Sequence, residues 1–141
     1  MQAFKIIEHT ADLRLQVFGH NYEELFQNAV LGLNSILINE VLKKTYYKKP
    51  PAGFEKIKVE GLDINALLVN FLNEILTQAQ INKKIYTRIK FLRFGEKLLE
   101  AQIFGVLVDG FDKDIKAVTY HQVEIKKNKR NIFEATLTLD I

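Results

Sequence analysis

The stretch DLRLQVFGHNYEELFQNAVLGLNSIL, residues 12–37, has the pattern of a strand followed directly by a helix. Leu13, Leu15 and Val17 alternate with polar residues, and this period of two is typical of a strand with one buried face. Gly19 ends the alternation. The buried face of this strand requires an apolar layer, which the residues that follow can supply.

Helix signals begin just after this glycine. Asn21 can cap a helix, and Glu24 lies three residues further on, close to a capping-box arrangement. Apolar residues then recur at intervals of three and four, a stripe that must pack on a sheet or on another helix. The stripe comprises Tyr22, Leu25, Phe26, Ala29, Leu33, Ile36 and Leu37.

A second strand and helix follow further along. FEKIKVEG, residues 54–61, alternates again and directs Ile57 and Val59 to one face. Asp63 can cap the next helix, with Leu62 before it as a hydrophobic staple, and the helical pattern ends at Asn82. The predicted buried stripe comprises Leu67, Leu68, Phe71, Leu72, Ile75, Leu76 and Ala79.

Between these two units lies LKKTYYKKPPAG, residues 42–53, which we interpret as an exposed loop because Pro50 and Pro51 block a helix. Such a loop could bind RNA, since tyrosines stack on bases and lysines neutralise phosphates. The alternative is a solvated loop without a ligand. The residues concerned are Lys43, Lys44, Tyr46, Tyr47, Lys48 and Lys49.

The rest of the chain predicts strands. Residues 84–94 and 97–105 form a hairpin around a Gly95–Glu96 turn, and residues 114–127 and 131–141 form a second one. The element order β-β-α-β-α-β-β-β-β predicts the α+β class. We expect a two-layer sandwich of mainly antiparallel strands, with two helices packed against one sheet face.

Composition limits the class of protein. A chain of 141 residues suits one domain, here residues 1–141, and the 20 basic and 17 acidic residues give a net charge of only +3. The absence of cysteine excludes disulfides and thiolate metal sites. No secretory signal or membrane-spanning run is present, so we expect a cytoplasmic protein.

Three carboxylates could bind a metal ion. Asp12, Asp140 and the carboxylate of Ile141 would supply oxygen ligands for a hard cation if the strands that carry them end side by side. Each aspartate also has a simpler explanation, which is a turn for Asp12 and a solvated chain end for Asp140.

His9, Lys116 and His121 are the other candidate site residues, and each could equally be a solvated or locally bonded residue at a strand end. The pattern His-x-x-Asp with a distant histidine is a weak zinc signature. No nucleophile elbow, phosphate-binding loop or HExxH motif is present, so an enzyme has little support. A metal-dependent hydrolase remains a further alternative.

Three motifs in fixed order carry a family resemblance: HTAD at residues 9–12, KAVTYH at residues 116–121 and LDI at residues 139–141. Together with LLVNFLNEIL in the second helix, they resemble the archease family over the whole chain. The resemblance implies a small α+β fold built from strand-helix-strand-strand modules, one inserted in the other.

The resemblance also implies a function. Archeases are non-enzymatic activators of the RtcB-type RNA ligase of tRNA splicing and RNA repair, and they promote guanylylation and turnover of that ligase. The implied metal ligands are Asp12, Asp140 and Ile141, with Ca²⁺ as the first candidate and Mg²⁺ or Mn²⁺ as alternatives. His9, Lys116 and His121 would face the ligase, and tRNA would be an indirect partner. No membrane partner is expected.

Overall fold

The computed structural model describes residues 1–8 and 12–141, which form eight strands and three helices in the described ranges. The elements are β1 (Phe4–Glu8), β2 (Leu13–Gly19), α1 (Tyr22–Leu37), α2 (Glu40–Lys48), β3 (Phe54–Glu60), α3 (Ile64–Asn82), β4 (Lys84–Phe94), β5 (Leu98–Leu107), β6 (Ala117–Val118), β7 (Lys126–Lys127) and β8 (Phe133–Asp140). The predicted α+β class is confirmed.

The strands form two antiparallel sheets. The terminal sheet has the order β1-β2-β8-β6, with β7 also paired to β8, and it therefore draws on both ends of the chain. The inserted sheet has the order β3-β5-β4 and comes entirely from residues 54–107. One strand-helix-strand-strand unit is thus inserted within another.

Both long helices begin where the sequence predicts. Asn21 Oδ1 accepts from the backbone N–H of Glu24 at 2.8 Å, and Asp63 Oδ1 accepts from that of Ala66 at 2.8 Å. All seven residues of the predicted stripe of α3 are buried. The prediction that Leu62 forms a hydrophobic staple is wrong, because this side chain is 89% exposed.

The prediction of a loop over residues 42–53 is wrong for its first half. Asn39 caps α2 by accepting from the backbone N–H of Leu42 at 3.0 Å, and the helix continues to Lys48 before Pro50 stops it. The prolines end this helix but do not prevent its start. Tyr46 is buried, so the segment belongs to the core.

The predicted strand over residues 114–127 is also mostly absent. Only Ala117–Val118 and Lys126–Lys127 pair with β8. Between them the chain turns at Gln122, whose φ is +53°. The alternation of polar and apolar residues in KAVTYH therefore does not reflect a continuous strand.

A single cluster of buried apolar side chains spans both sheets. α1 and α3 contact each other, and each contacts strands of both sheets rather than one sheet face as predicted. Phe26 of α1 packs on Phe71 of α3 and on Phe94 of β4, with ring centroids 5.5 and 5.0 Å apart. Within the described ranges, no helix combines the length and apolar character needed to cross a bilayer.

Candidate metal and partner site at the strand ends

The register of the terminal sheet brings Asp12 and Asp140 to the same edge. Leu13 is paired with Leu139 in the antiparallel ladder between β2 and β8. Asp12 immediately precedes the first member of this pair, and Asp140 immediately follows the second. In an antiparallel ladder, these two neighbours fall opposite each other. The two carboxylates thus occupy adjacent strand ends although they are far apart in the sequence.

The carboxylate of Asp12 is only partly satisfied. Its Oδ2 lies 3.5 Å from both Nε and Nη2 of Arg14, which is a long salt bridge. Its Oδ1 is buried and, among the described residues, has no hydrogen-bond partner. A buried carboxylate oxygen without a donor is costly, and a bound cation or water would offset that cost.

A third segment reaches the same edge. Ala117 pairs with Asp140, and the backbone N–H of Lys116 donates to the backbone carbonyl of Asp140 at 2.8 Å. Asn73 of α3 holds β6 from the other side. Its Oδ1 accepts from the N–H of Val118 at 2.8 Å, and its Nδ2 donates to the carbonyl of Val118 at 3.0 Å. Lys116 is exposed, so its ammonium group is free to meet a partner.

These donors fit a hard divalent cation in chemistry, because they are carboxylate oxygens. They do not complete a coordination sphere: within the described ranges, no three His, Cys, Asp or Glu side chains converge. Six or more oxygen ligands are usual for Ca²⁺. Oxygens of Ile141, backbone carbonyls and water would have to supply the remainder. The positive charge of Arg14 beside Asp12 opposes a cation there.

His121 does not join this group. The backbone N–H of Thr119 donates to Thr138, two residues back along β8 from Asp140, and the chain then turns away. His121 is exposed in that turn, and its N–H donates to Oγ1 of Thr119 at 3.3 Å. Its neighbour Tyr120 donates through its hydroxyl to Asn70 Oδ1 on α3. His9 lies outside the described residues.

The predicted RNA-binding tyrosines are wholly or partly withdrawn from solvent. Tyr46 is only 7% exposed, and the hydroxyl of the half-buried Tyr47 accepts from Asn34 Nδ2 at 3.0 Å. Burial raises the pKa of the Tyr47 hydroxyl. Lys43 Nζ is engaged by Ser35 Oγ at 2.7 Å and by Glu40 at 2.9 Å. Lys44, Lys48 and Lys49 remain exposed.

Sequence reasoning missed Asn70 and Asn73, which hold the KAVTYH segment on α3. Both lie in LLVNFLNEIL, where two asparagines three residues apart interrupt an apolar helix. Asparagine favours caps and turns over helix interiors, so this pair was a signal that could have been read.

Comparison with known proteins shows the family of this chain. The profile of the Archease protein family (MTH1598/TM1083) matches residues 4–141. The protein archease of Sulfurisphaera tokodaii is 29% identical over 147 residues, with all of both chains covered. That of Pyrococcus abyssi is 30% identical over 149 residues, again with full coverage of both chains.

Two solved structures share the fold. The solution structure of Methanobacterium thermoautotrophicum protein 1598 matches with a TM-score of 0.75 at 23% identity, covering all of both chains. The crystal structure of an archease from Thermotoga maritima, described as a possible chaperone, matches with a TM-score of 0.63 at 20% identity. That match covers all of this chain and 99% of the other. By its sequence match over residues 4–141, the chain belongs to the archease family.

Proposed function

We propose that this protein is a non-enzymatic activator of an RtcB-type RNA ligase and that it acts in the cytoplasm. It would promote guanylylation and multiple turnover of the ligase in tRNA splicing and RNA repair. The proposal rests on membership of the archease family and on the HTAD, KAVTYH and LDI motifs. No direct role for this chain in bond making or breaking is part of it.

The observation that carries the proposal is the pairing of Leu13 with Leu139, which puts Asp12 beside Asp140. The Oδ1 of Asp12, which has no hydrogen-bond partner within residues 1–8 and 12–141, supports a cation at this edge. Asp12, Asp140 and the oxygens of Ile141 would hold Ca²⁺, with Mg²⁺ or Mn²⁺ as alternatives. When bound, the cation supplies a fixed positive charge at the end of the terminal sheet.

The remaining residues would form the contact surface for the ligase. The backbone N–H of Lys116 donates to the carbonyl of Asp140, so the exposed Lys116 side chain begins next to the carboxylate pair. His9 and His121 are proposed as ligase contacts by their motifs alone, and His121 would reach the ligase from the turn after β6 and not from the carboxylate pair. Such a surface activates only if it binds the guanylylation-competent ligase more tightly than the resting form. A tenfold shift in that equilibrium requires about 1.4 kcal/mol of preference.

The test is a multiple-turnover ligation assay with the cognate ligase, with and without this protein. Asp12→Asn keeps the size of the side chain but removes its charge, so stimulation should fall at least tenfold. Asp109→Asn is the matched control, because it removes one charge from an exposed position of the 108–114 loop. Full stimulation by Asp12→Asn would show that the carboxylate pair has no role in activation.

The metal assignment has its own readout. Addition of Ca²⁺ should raise the melting temperature of the wild-type protein and of Asp109→Asn, since a ligand that binds only the folded state stabilises it. Asp12→Asn should lose this shift. An identical shift in all three proteins would mean that Ca²⁺ binds elsewhere.

A further inference from the structure

The solvent-facing side of the inserted sheet carries rows of side chains set by strand register, and three of these rows contain cations. The first row is Phe54, Phe104 and Arg88; the second is Lys56, Gln102 and Lys90; the third is Lys58, Glu100 and Arg93. The opposite side of the same strands holds buried residues such as Ile57, Ala101 and Ile103. The bulges in β4 keep Arg88, Lys90 and Arg93 on the outer side.

This outer face is strongly positive. It presents five cations, Lys56, Lys58, Arg88, Lys90 and Arg93, all of them exposed, against two carboxylates, those of Glu100 and of Glu60 at the end of β3. None of the five forms a salt bridge with any residue in the part of the chain that the structure describes. The whole chain has a net charge of only +3, so the face concentrates charge that the composition as a whole does not reveal.

The same face exposes aromatic rings. Phe54 is 51% exposed and lies 5.4 Å, ring centroid to ring centroid, from the half-buried Phe104. The guanidinium of Arg88 lies 5.4 Å from the centroid of Phe104. Lysines on an edge strand alone would be explained by protection against aggregation. A half-exposed phenylalanine among them works against that purpose, although β3 and β4 are both edge strands of the inserted sheet.

A sheet face with stacked aromatics surrounded by cations suits a single-stranded nucleic acid. Aromatic rings stack on unpaired bases, which a duplex keeps stacked internally, and the lysines and arginines meet the phosphates. We propose that the outer face of the inserted sheet binds single-stranded RNA. The arrangement of rings and cations is the evidence for a nucleic-acid surface. The choice of RNA over DNA rests on the proposed function as the activator of an RNA ligase.

The experiment measures fluorescence anisotropy of a labelled 12-nucleotide single-stranded RNA with the full-length protein, without ligase, over a series of salt concentrations. The wild type should bind, and log K should fall with log salt at a slope no steeper than about −3.5, since each neutralised phosphate contributes about −0.7. Absence of binding at 50 mM salt would overturn the proposal.

Two triple variants locate the surface. Lys56→Gln, Lys58→Gln and Lys90→Gln together should flatten the salt slope by about 2 and weaken binding at least tenfold. Lys44→Gln, Lys48→Gln and Lys49→Gln together remove the same charge from α2 and its C-cap and should leave binding nearly unchanged. The reverse result would place the RNA on α2 and overturn the assignment to the sheet.

Stacking is tested separately by Phe54→Leu, which keeps an apolar side chain at this half-exposed position and removes the ring. Its affinity should fall about fivefold or more with the salt slope unchanged. Unchanged affinity would mean that the face binds RNA through charge alone, without stacking, and would contradict the proposal. Equal competition by duplex RNA or an acidic protein would also contradict it, and equal binding of single-stranded DNA would overturn the choice of RNA.

Failure of this inference is distinguishable from failure of the proposed function. Asp12→Asn, which should reduce stimulation of the ligase at least tenfold, leaves the inserted sheet untouched and should bind the RNA like the wild type. Loss of RNA binding in Asp12→Asn would place the RNA at the strand ends and overturn the assignment to the sheet face.

Discussion

Glu24 shows how one side chain fixes the junction between β2 and α1. Its Oε1 accepts from the backbone N–H of His20 at 2.9 Å and lies 2.8 Å from Nδ1 of the same residue. The backbone hydrogen bond is the main cause that lowers the pKa of the Glu24 carboxyl below its ordinary value of 4.5. The expected capping box is thus displaced by one residue, from Asn21 to His20.

This lowered pKa makes a pH-dependent contribution to stability. The ionised carboxylate stabilises the fold fully above about pH 4.5, and the contribution is lost as the pH falls through the lower folded pKa. Glu24→Gln should therefore lower the melting temperature by about 1–2 °C at pH 7, a small effect because the site is exposed. The difference should disappear in acid. Glu23→Gln, from the same helical turn, is the control; a gap that persists unchanged at pH 2 would contradict the assignment.

At the scale of elements, the two strand-to-helix junctions repeat the same construction. Gly19 ends β2 and Gly61 follows β3, and two residues after each glycine Asn21 and Asp63 cap the helices. In each unit an asparagine nine residues after the glycine returns to the strand end. Asn28 Nδ2 donates to the carbonyl of Phe18 at 2.7 Å, and Asn70 Nδ2 donates to that of Glu60 at 2.8 Å. The two strand-helix units found in the sequence thus share one junction geometry.

Both glycines are required by close approach of the helix backbone. A Cβ on Gly61 would lie 2.6 Å from the backbone nitrogen of Leu67, and one on Gly19 would lie 2.4 Å from that of Leu25. Gly61→Ala should therefore destabilise the protein by about 1–3 kcal/mol, because backbone atoms cannot move aside as a side chain can. Urea denaturation measures this free energy of unfolding.

Gly110→Ala provides the comparison, since nothing lies within 4 Å of the new methyl group. It should be neutral or slightly stabilising. Equal stability of the two variants would mean that the junction can open without loss of packing.

The elements that sequence reasoning found are those with local signals. The caps Asn21 and Asp63 and the apolar stripes they precede need no distant partner to be recognised. α2 has a local signal in its Asn39 cap, but Pro50 and Pro51 favoured a loop. Its remaining evidence is tertiary: Asn34, 1% exposed, donates to the Tyr47 hydroxyl and to the carbonyl of Tyr86. Residues 119–125 were assigned to a strand because alternation alone cannot show that side-chain contacts from Asn65 and Asn70 hold an irregular segment.

The candidate site divides in the same way. Motif order singled out Asp12, Asp140 and Lys116, which the register does bring to one edge. The sequence could not show that Arg14 contacts Asp12 or that His121 lies in a turn away from the aspartates. The basic face of the inserted sheet was invisible for a related reason, because its five cations come from two strands that are neighbours of β5 and not of each other.

At the scale of the whole molecule, the inserted unit and the unit around it share one core. Phe26 of the outer unit contacts Phe71 and Phe94 of the inserted unit, and Phe94 in turn contacts Phe91 at 5.1 Å. Phe26 is 0% exposed. Neither sheet therefore has a complete core without the other, and we expect the two sheets to unfold together.

Phe26→Ala tests that dependence, because it removes the ring that joins the two units. The cavity should reduce the free energy of unfolding by about 3–5 kcal/mol. Native-state hydrogen exchange should then show faster exchange for amides of β5 in the inserted sheet and of β2 in the terminal sheet, by similar factors. Phe54→Ala, at a half-exposed position of the inserted sheet, should change neither by much. Faster exchange confined to the terminal sheet would show that the inserted unit is stable by itself, and the shared core would then be a contact between two independently folding units.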